Sequence, residues 1–484
     1  MTNQELKAEA CERIQLLGLP CFISEAFHKE NRIFASSQTF LGYSPDYACA
    51  GNTVSICGKR YKVAVSEIAD DLLQKIKEVE EAKKIFHDLF DELYEKKSIK
   101  VSIEDSYNHV VFKDIISSMD SPPFDRSLMD GFAVKAEDTF GASDESPKTL
   151  KCIDNIEAGS FSKKTIENGE CIEISTGAPI PNGANSIVMV EFTEKKTDTN
   201  NNYNNEYENI YIFKSIAPNQ NLALKGSDIK KGKLLLKEKT TLSPDKIGVL
   251  ATQGIKEIEV FKKPEIGVIS TGNELLNGNE MISYGKIYDV NSHSIKNVAI
   301  ANGANGKSYG IVKDNYDDLK SKIKNSIKSS DIVVCSGGTS SGVGDVLKNV
   351  LYDSGEIIIH GISIKPGKPT ILGKMNEKLV IGLPGNPVSA LIVFYVFIVP
   401  NLRKLAGKSH EPIEKLKAIL TNRIHSPKGK MHYTLAQLEN GLVYPIIKDS
   451  GAITSISDAD GYIKIPKTTE LVDEGEEIEF TLFK

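Results

Sequence analysis

Two glycine-rich loops that each end in a carboxylate are the parts of this sequence best suited to binding chemistry. One is Ser270-Thr271-Gly272-Asn273-Glu274. The other runs from Ser336 to Asp345 and includes Gly337, Gly338, Thr339, Ser340 and Gly342. Glycine lets the backbone approach a ligand, and free N–H groups and hydroxyls in such loops can hold phosphate. One loop of this kind could be a simple turn, but two at the carboxyl edge of one sheet favour a phosphate site.

The carboxylates that close these loops, Glu274 and Asp345, suggest a cation beside the phosphate. Mg²⁺ binds through a few carboxylates together with oxygens of the substrate. The residues alone therefore predict an α/β domain that binds a phosphorylated ligand with a hard cation, and they do not identify the ligand.

Two further loops follow in the same region. Lys365-Pro366-Gly367-Lys368-Pro369 places two lysines in a turn stiffened by prolines, which suits a polyanion or, alternatively, a solvated surface turn. Pro384-Gly385-Asn386-Pro387 follows an apolar stretch and precedes another, so it is either part of a site or a purely architectural strand-to-helix turn.

The elements that would position these loops alternate between strands and helices over residues 264–406. This alternation predicts a parallel sheet with helices on both faces, and in such sheets ligands bind beyond the carboxyl ends of the strands. The predicted strands are Ile266–Ser270, Ser308–Val312, Asp331–Ser336 and Leu379–Leu383, and the predicted helices are Ser292–Asn302 and Tyr316–Lys328.

The remainder of the chain reads as separate units. Short β-like runs over 123–215 predict a β-rich domain whose Asn-rich stretch at 195–208 is an exposed loop or hairpin tip. Alternation over 407–484 predicts a small β domain.

Residues 1–79 read as a small α+β module, with a helix over Gln4–Leu17 and strands within Arg32–Phe40 and Thr53–Val65. Helical spacing of apolar residues from Val65 to Lys97 is long for one helix, so we expect a break or domain junction within it. Four of the seven cysteines lie in the first 57 residues. No Cys-x-x-Cys pair occurs, so buried reduced thiols are favoured over a zinc site.

The composition is ordinary for a soluble globular protein: 484 residues, 40 % hydrophobic, 26 % charged and a net charge of −6. The absence of a long basic block argues against general nucleic-acid binding. The longest apolar run, Ala390 to Pro400, is too short to span a bilayer and predicts a buried helix. With no apolar signal core at the N-terminus, we expect a cytoplasmic protein without membrane association.

From about residue 80 onward, the chain resembles the MoeA family and the related gephyrin E domain. The resemblance rests on the four loops above together with Pro123 to Val134 and Ser175 to Pro179, all in the family's order. Weaker elements are Gly226 to Ile229, Ile287 to Asn291 and Ala459 to Gly461.

The resemblance implies a four-domain subunit that dimerises, with a MogA-like α/β domain, an inserted β-rich domain and a C-terminal β-barrel-like domain. It also implies that residues 80–122 and 216–263 form a linker and dimerisation domain. It implies a molybdopterin molybdenumtransferase, which inserts molybdate or tungstate into adenylated molybdopterin, requires Mg²⁺ and releases AMP. A MogA-like adenylyltransferase is a further expected partner. Because the resemblance starts after residue 79, we expect residues 1–79 to be dispensable.

The family's site is carried over position by position. Asp130 and Thr176 would come from the inserted domain of the partner subunit. Glu274 and Asp345 would hold Mg²⁺, and the lysines would neutralise oxyanion charge. The full set expected from the α/β domain comprises Glu274, Asp314, Asp345, Lys365, Lys368, Pro384 and Pro387, with the two glycine-rich loops cradling the pterin phosphate.

The sequence departs from the family pattern at three positions beside this site. Val343 replaces an acidic residue, Asn273 stands where Asp is usual, and Asn315 follows Asp314 where a second Asp is common. These losses could weaken cation binding or alter the metal preference.

Two other functions remain open at this point. The preceding adenylyltransferase step would need only the α/β domain, so the regions 100–260 and 407–484 argue against it. A scaffold or pterin-binding protein without activity is the second alternative. Retention of Asp130, Glu274, Asp345, Lys365 and Lys368 argues for chemistry.

Overall fold

A computed structural model describes residues 25–29, 32–36, 53–56, 59–62, 76–195, 208–337, 344–408 and 415–483. The chain divides into two compact bodies. The first contains residues up to 95 together with 263–484, and the second contains 96–262.

The N-terminal module shows two antiparallel hairpins in its described part. Strand β1 (Glu25–Lys29) pairs with β2 (Arg32–Ser36), and β3 (Thr53–Ile56) pairs with β4 (Lys59–Lys62). The strands expected within Arg32–Phe40 and Thr53–Val65 are therefore present. The predicted helix Gln4–Leu17 and the four N-terminal cysteines lie outside the described residues.

Helix α1 (Val79–Leu93) belongs to the core of the first body. Its buried residues Val79, Ala82, Phe86 and Phe90 recur every three or four positions and so share one face of the helix. The Phe86 ring lies 5.4 Å from that of Phe397. The predicted range 80–122 is thus divided, because its helix packs with the α/β elements while residues from 96 onward lie in the second body.

The second body contains short paired strands around helix α2 (Pro244–Thr252), which buries Leu250 in a core with Val111, Leu242 and Val260. The paired strands are β5 (Ser98–Ser102) with β16 (Glu257–Phe261), β6 (Ile115–Ile116) with β15 (Leu234–Leu236), and β7 (Arg126–Ser127) with β14 (Leu222–Ala223).

A six-stranded sheet lies within this body, and its strands fall inside the range 123–215 that was predicted to be β-rich. Alternating residues of its strands enter two apolar clusters, with Phe132 and Val134 in one and Ala133 in the other. Strands β12 and β13 pair antiparallel on either side of 196–207, as a hairpin requires. The strands, in chain order, are β8 (Gly131–Val134), β9 (Lys148–Ile156), β10 (Glu170–Ile174), β11 (Ser186–Met189), β12 (Thr193–Lys195) and β13 (Glu208–Ile212), and their spatial order is β11-β8-β10-β9-β13-β12.

The α/β elements of the first body form a mixed sheet, which corrects the prediction of a purely parallel one. Four strands in the order β20-β17-β21-β25 are parallel, and β24 and β22 continue the sheet antiparallel. Strands β24 and β25 are joined by the tight turn Asn376-Glu377, in which both residues have positive φ. The strands are β17 (Glu265–Thr271), β20 (Asn305–Val312), β21 (Ile332–Ser336), β22 (Glu356–His360), β24 (Ile371–Met375) and β25 (Lys378–Leu383), with the short β18 (Leu275–Leu276), β19 (Ile287–Tyr288) and β23 (Ile364–Lys365) outside this sheet.

Helices α3 (Asn291–Ala301), α4 (Tyr316–Ser326) and α5 (Gly344–Ser354) flank this sheet. A longer apolar helical run follows β25 as α6 (Pro387–Val393), a π-helical segment (Phe394–Ile398) and α7 (Val399–Leu405). The π segment ends just before Pro400, which has no N–H to continue the regular pattern.

The run Pro387–Leu405 has the length and composition of a membrane span, and within the described residues it is the one helix that does. In its most apolar window, however, 78 % of the residues are buried inside the protein. The prediction of a buried core helix is confirmed.

The C-terminal strands close into a small barrel. Strand β28 pairs with β29 on one side and β30 on the other, and β26 and β32 complete the ring around buried Leu420, Val443 and Phe480. The strands are β26 (Lys415–Leu420), β27 (Ile424–His425), β28 (Met431–Glu439), β29 (Leu442–Pro445), β30 (Gly461–Ile465), β31 (Leu471–Val472) and β32 (Glu477–Leu482), with helix α8 at Thr454–Ser457.

We expect deletion of residues 1–75 to leave a folded protein, whereas deletion of residues 1–79 would also remove the backbone hydrogen bonds of Lys77. Lys77 donates its N–H to the Gly361 carbonyl, and its own carbonyl accepts the N–H of Ser363, so backbone pairing with the α/β elements starts at about Ile76. A truncation at 76 should keep its melting temperature within about 4 °C of the full chain.

Deletion of residues 1–93 is the matched contrast. It removes four buried side chains of α1, each worth about 1.5–3 kcal/mol if large and apolar, against a typical total stability of about 5–15 kcal/mol. That variant should be insoluble or unfolded by circular dichroism. A well-folded 94–484 fragment would contradict the role assigned to α1.

Candidate anion-binding site at the strand ends

The carboxyl ends of three parallel strands meet at one place in the α/β sheet. Gly337, just after β21, donates its N–H to the Leu383 carbonyl at 3.2 Å. A Cβ on Gly337 would lie 2.1 Å from the Thr271 carbonyl oxygen, and its φ is +101°, so only glycine fits there. Gly385 lies beside it, since a Cβ on Gly385 would be 3.6 Å from the Gly337 Cα. Three of the four predicted loops thus converge.

A buried polar network fixes these strand ends. The Ser270 hydroxyl donates to Asp289 Oδ1 at 2.8 Å, and the same oxygen accepts the Ser292 N–H at 3.1 Å. Ser270 is fully buried, so its hydroxyl holds the neighbouring helix rather than facing an open loop.

Asn291 connects the two other loops. Its Nδ2 donates to Ser336 Oγ at 2.8 Å and to the Gly385 carbonyl at 2.7 Å. Neither Asp289 nor Asn291 was among the predicted site residues, although both lie in a stretch that contributes to the family resemblance. The sequence signal that could have identified them is the presence of two polar residues where helix α3 begins.

Asp314 and Asn273 join the ends of β20 and β17 by reciprocal hydrogen bonds. The Asn273 N–H donates to Asp314 Oδ2 at 3.2 Å, and the Asp314 N–H donates to Asn273 Oδ1 at 3.3 Å. The Asn at position 273, a departure from the family pattern, therefore supplies an acceptor to the backbone of its neighbour.

Glu274 lies close to this pair, with its carboxylate oxygens 2.7 Å from the point where a Cβ on Gly272 would stand. Burial raises the pKa of Asp314, the N–H of Asn273 opposes this, and the negative charge of Glu274 raises the pKa further. Asp314 Oδ1 is buried and has no hydrogen-bond partner among the described residues. A carboxylate oxygen in this state is suited to a cation.

Glu274 and Asp314 suit Mg²⁺ better than a metal whose ligands all come from protein side chains. Among the described residues there is no group of three or more His, Cys, Asp or Glu side chains that could hold a metal. Mg²⁺ usually takes one or two carboxylates and completes its shell with water and substrate phosphates. Glu274 and Asp314 provide two such carboxylates. Asp314, which was predicted only as a ligand-binding residue, therefore also belongs to the candidate cation site.

Asn315, a further departure, has a structural role. Its side-chain oxygen accepts the N–H groups of Asp317 and Asp318 at 2.9 and 3.1 Å and so caps α4. Asn and Asp cap helices about equally well, which explains why this position tolerates the change.

The second glycine-rich loop is described only at its ends. Gly337 is placed, and α5 begins at Gly344, so the backbone of Asp345 lies in the first turn of that helix. Gly338, Thr339, Ser340, Gly342 and Val343 lie outside the described residues, as does the side chain of Asp345.

The lysine loop is fixed between α6 and the barrel. Lys365 ends β23, which pairs with β28 so that Lys365 lies directly opposite His432. A Cβ on Gly367 would lie 2.4 Å from the Val393 side chain, which shows how closely the loop is pressed onto α6. Lys365 and Lys368 themselves are exposed. A rigid loop with two exposed ammonium groups is suited to an anion.

The barrel contributes two residues that were not predicted. His432 is half-buried, and burial together with the positive charge of Lys365 lowers its pKa to about 4. Ser450 accepts a hydrogen bond from Asn386 Nδ2 at 2.8 Å and its carbonyl accepts the Val388 N–H. It thereby holds the turn between Pro384, which is buried, and Pro387, the first residue of α6. No sequence pattern indicates either contact.

The second body brings together the other two predicted residues. Asp130 Oδ1 accepts the Thr176 N–H at 2.6 Å and the Thr176 hydroxyl at 3.0 Å, although 46 positions separate them. These two hydrogen bonds from Thr176 lower the pKa of Asp130. The pair is exposed, and it offers a fixed carboxylate at the edge of the β-rich sheet.

The fold and the site define a class: a multidomain α/β protein with a candidate anion and cation site at its strand ends, a separate β-rich sheet and a C-terminal barrel. Family models match three successive regions. These are the MoeA N-terminal region (domains I and II) over residues 77–254, a probable molybdopterin binding domain over 267–404, and the MoeA C-terminal region (domain IV) over 417–483. The chain belongs to the MoeA family of molybdopterin biosynthesis proteins.

Individual relatives agree with this assignment. The chain is 33 % identical to a putative molybdopterin biosynthesis protein of Methanocaldococcus jannaschii over 85 % of its own length and all of that protein. It is 33 % identical to a molybdopterin molybdenumtransferase of Staphylococcus aureus over 76 % of its length and 87 % of that protein. The crystal structure of a MoeA molybdopterin biosynthesis protein from Pyrococcus horikoshii matches with a TM-score of 0.70 and 37 % identity, covering 85 % of this chain and all of the other.

Proposed function

We propose that this protein is a molybdopterin molybdenumtransferase. It takes adenylated molybdopterin and molybdate or tungstate, transfers the metal to the dithiolene sulfurs and releases AMP. The observation that carries the proposal is the pair of neighbouring carboxylates Glu274 and Asp314, one with a buried unpaired oxygen, at the strand ends of a probable molybdopterin binding domain.

The residues have distinct tasks in this reaction. Glu274, Asp314 and Asp345 would hold Mg²⁺, which would offset negative charge on the phosphate that leaves with AMP. Lys365 and Lys368 bind phosphate or oxyanion through charge-assisted hydrogen bonds. Gly272 and Gly337 let the backbone approach the ligand, and the converging strand ends fix its position.

The protein acts as a homodimer in which Asp130 and Thr176 of one subunit complete the site of the other. The exposed hydrogen-bonded pair supports this, because a carboxylate held by two donors and facing solvent is available to a second subunit. Mixed dimers test it. A preparation combining Asp130→Asn and Asp345→Asn subunits should recover activity that neither variant has alone, and lack of recovery would assign both residues to one chain's own site.

The direct assay of function uses purified full-length protein with adenylated molybdopterin, Mg²⁺ and either molybdate or tungstate. AMP release and formation of the metal-loaded cofactor are followed together. We expect both products in equal amounts. Formation of adenylated molybdopterin from ATP would indicate the preceding adenylyltransferase instead, and tight pterin binding without AMP release would indicate a scaffold.

Lys365→Ala and Lys368→Ala should each weaken binding of the adenylated pterin without unfolding the protein. Loss of one charge-assisted hydrogen bond costs about 1.5–3 kcal/mol, or roughly 10- to 150-fold in affinity. Isothermal titration would measure the affinity and thermal denaturation the stability. Lys374→Ala, a lysine on β24 that pairs with Glu377, is the matched control and should bind normally. Unchanged affinity in both loop variants would remove these lysines from the site.

A further inference from the structure

Two thiols face each other on neighbouring strands of the β-rich sheet, apart from the site described above. Strands β9 and β10 run parallel, and Cys152 is in direct register with Cys171. Neighbouring strands lie about 4.8 Å apart, and side chains in register point to the same face. A disulfide needs Cα atoms about 4.4–6.8 Å apart, and the usual spacing of neighbouring strands falls in this range.

The two thiols differ in exposure. Cys171 is fully buried in the apolar cluster that contains Phe132 and Leu150, whereas Cys152 is half-buried at the edge of that cluster. An oxidant can therefore reach the Cys152 sulfur first, with the second sulfur directly behind it.

The surroundings of Cys152 stabilise its thiolate. A hydrogen bond from the Cys171 thiol is the largest cause, burial opposes it, and the N–H groups of Glu173 and Asp154 add to it, so that the pKa of Cys152 falls to about 7. The pKa of Cys171 is raised by its bond to Cys152 and by burial, so it stays a neutral donor.

Charged side chains lie close to the two cysteines on strands β10, β12 and β13. Glu170 and Glu173 lie beside Cys171 on β10, and Glu208 on β13 is in register with Cys152. Lys195 on β12 bonds Glu173 at 2.9 Å and lies 3.5 Å from Glu208. The ammonium group thus offsets the two carboxylates that would otherwise repel a thiolate.

We propose that Cys152 and Cys171 form a redox-active dithiol that hydrogen peroxide or an organic hydroperoxide converts to an intramolecular disulfide. The Cys152 thiolate attacks one peroxide oxygen and the O–O bond breaks. The departing hydroxide (from hydrogen peroxide) or alkoxide (from a hydroperoxide) takes a proton and leaves as water or an alcohol, and Cys152 becomes a sulfenic acid. The Cys171 thiol then attacks that sulfur, the S–S bond forms, and a water leaves with the oxygen and the thiol proton. Two thiols lose two electrons, and one peroxide gains them.

The test uses the reduced full-length protein treated with hydrogen peroxide, blocked with N-ethylmaleimide, digested without reductant and analysed by mass spectrometry. We expect a peptide pair joined at positions 152 and 171, with both thiols lost from the alkylated pool. Cys335 is the internal reference, since it is fully buried and burial raises its pKa to about 12. It should remain alkylatable after unfolding.

Variants separate the two steps. Cys171→Ser should stop at the sulfenic acid, which dimedone traps on Cys152, and Cys152→Ser should give no disulfide at Cys171. Cys335→Ser is the matched control and should leave the cross-link unchanged. The proposal is overturned if Cys152 and Cys171 both stay alkylatable after peroxide treatment, or if Cys152 is oxidised no faster than Cys335.

The pH profile of alkylation gives an independent measurement in the absence of oxidant. The iodoacetamide rate at Cys152, read by peptide mass, should be half-maximal near pH 7 in the wild type. In Cys171→Ala, which removes the thiol donor, the midpoint should move upward by about one unit or more, toward an ordinary thiol. An unshifted midpoint would show that Cys171 does not act on Cys152.

Discussion

Asp314→Asn should nearly abolish Mg²⁺-dependent release of AMP while leaving the protein at least as stable as the wild type. Asparagine keeps the size of the side chain and an acceptor for the Asn273 N–H, but it removes the charge. Loss of a carboxylate ligand to a catalytic cation should cost several kcal/mol of transition-state stabilisation, or about 100-fold or more in rate.

The expected effect of Asp314→Asn on stability follows from the direction in which folding shifts the pKa of Asp314. Because burial and Glu274 raise that pKa in the folded state, the folded protein binds the proton more tightly than the unfolded chain. The contribution of Asp314 to stability is therefore present at low pH and is lost as the pH rises through its raised folded-state pKa. At neutral pH the ionised Asp314 carboxylate therefore lowers the free energy of unfolding of the wild type, and asparagine removes this destabilising charge.

Thermal denaturation with and without Mg²⁺ checks this independently of activity. Mg²⁺ should raise the melting temperature of the wild type and not that of Asp314→Asn or Glu274→Gln. Asp318→Asn, an exposed carboxylate on α4, is the matched control and should behave as the wild type. An equal Mg²⁺ response in Asp314→Asn, or normal turnover at limiting Mg²⁺, would remove Asp314 from the cation site.

Asp345→Asn is expected to show the same loss of AMP release, with fold and dimer intact. The position of Asp345 in the first turn of α5, after the second glycine-rich loop, keeps this expectation in place. Val343 offers no second carboxylate in that loop, so Asp345 must carry more of the cation's charge. In the absence of Mg²⁺, the variant should bind the adenylated pterin as tightly or more tightly, because a repulsive charge is gone.

The elements of the α/β sheet were predictable from local pattern. The helix expected at Ser292–Asn302 is found at Asn291–Ala301, and the strand expected at Leu379–Leu383 is found at Lys378–Leu383. Continuous apolar runs and helical spacing are encoded within each segment, so a single sequence is sufficient to find them.

Strand direction was not predictable in the same way. Strands β24 and β25 form an antiparallel hairpin through Asn376 and Glu377, both with positive φ. Asparagine is common in such turns, but glutamate is rare there, so the signal for a tight hairpin was weak. The sheet was expected to be wholly parallel because neither β22 nor β24 was among the predicted strands, and the four strands that were predicted are the parallel ones.

The candidate site likewise contains features that local sequence indicates and contacts that it does not. Loops recognisable by their own residues, such as those at Gly272 and Gly337, were found from the sequence. The contacts that support them join distant segments: Asn291 reaches Gly385, and the barrel places His432 opposite Lys365. Such pairings depend on topology, and no local spacing reports them. For the same reason, no local pattern indicated that helix α1 packs with the α/β elements, although the domain junction expected between Val65 and Lys97 is found after Glu95.

Gly337→Ala should destabilise the protein strongly and abolish ligand binding, because the strand ends that form the site cannot accommodate a Cβ at that position. A Cβ would lie 2.1 Å from the Thr271 carbonyl oxygen, well inside contact distance, and φ at Gly337 is +101°. The left-handed backbone costs an L-residue about 1–2 kcal/mol, and the forced separation of the strands adds about 1–3 kcal/mol. The sum should appear in denaturant unfolding, together with loss of pterin binding by titration.

Gly385→Ala provides the matched control within the same site, since both glycines lie where the strand ends converge. Its added Cβ would meet the Gly337 Cα at 3.6 Å, an ordinary van der Waals distance, and its backbone lies outside the left-handed region. Gly385 is also exposed, so the methyl group has room. The change in unfolding free energy should stay within about 1 kcal/mol. If the two variants are destabilised equally, the stability lost in Gly337→Ala is a general effect of replacing a glycine in these loops. If only Gly337→Ala loses stability and binding, the close approach of Gly337 to the end of β17 is what shapes the site.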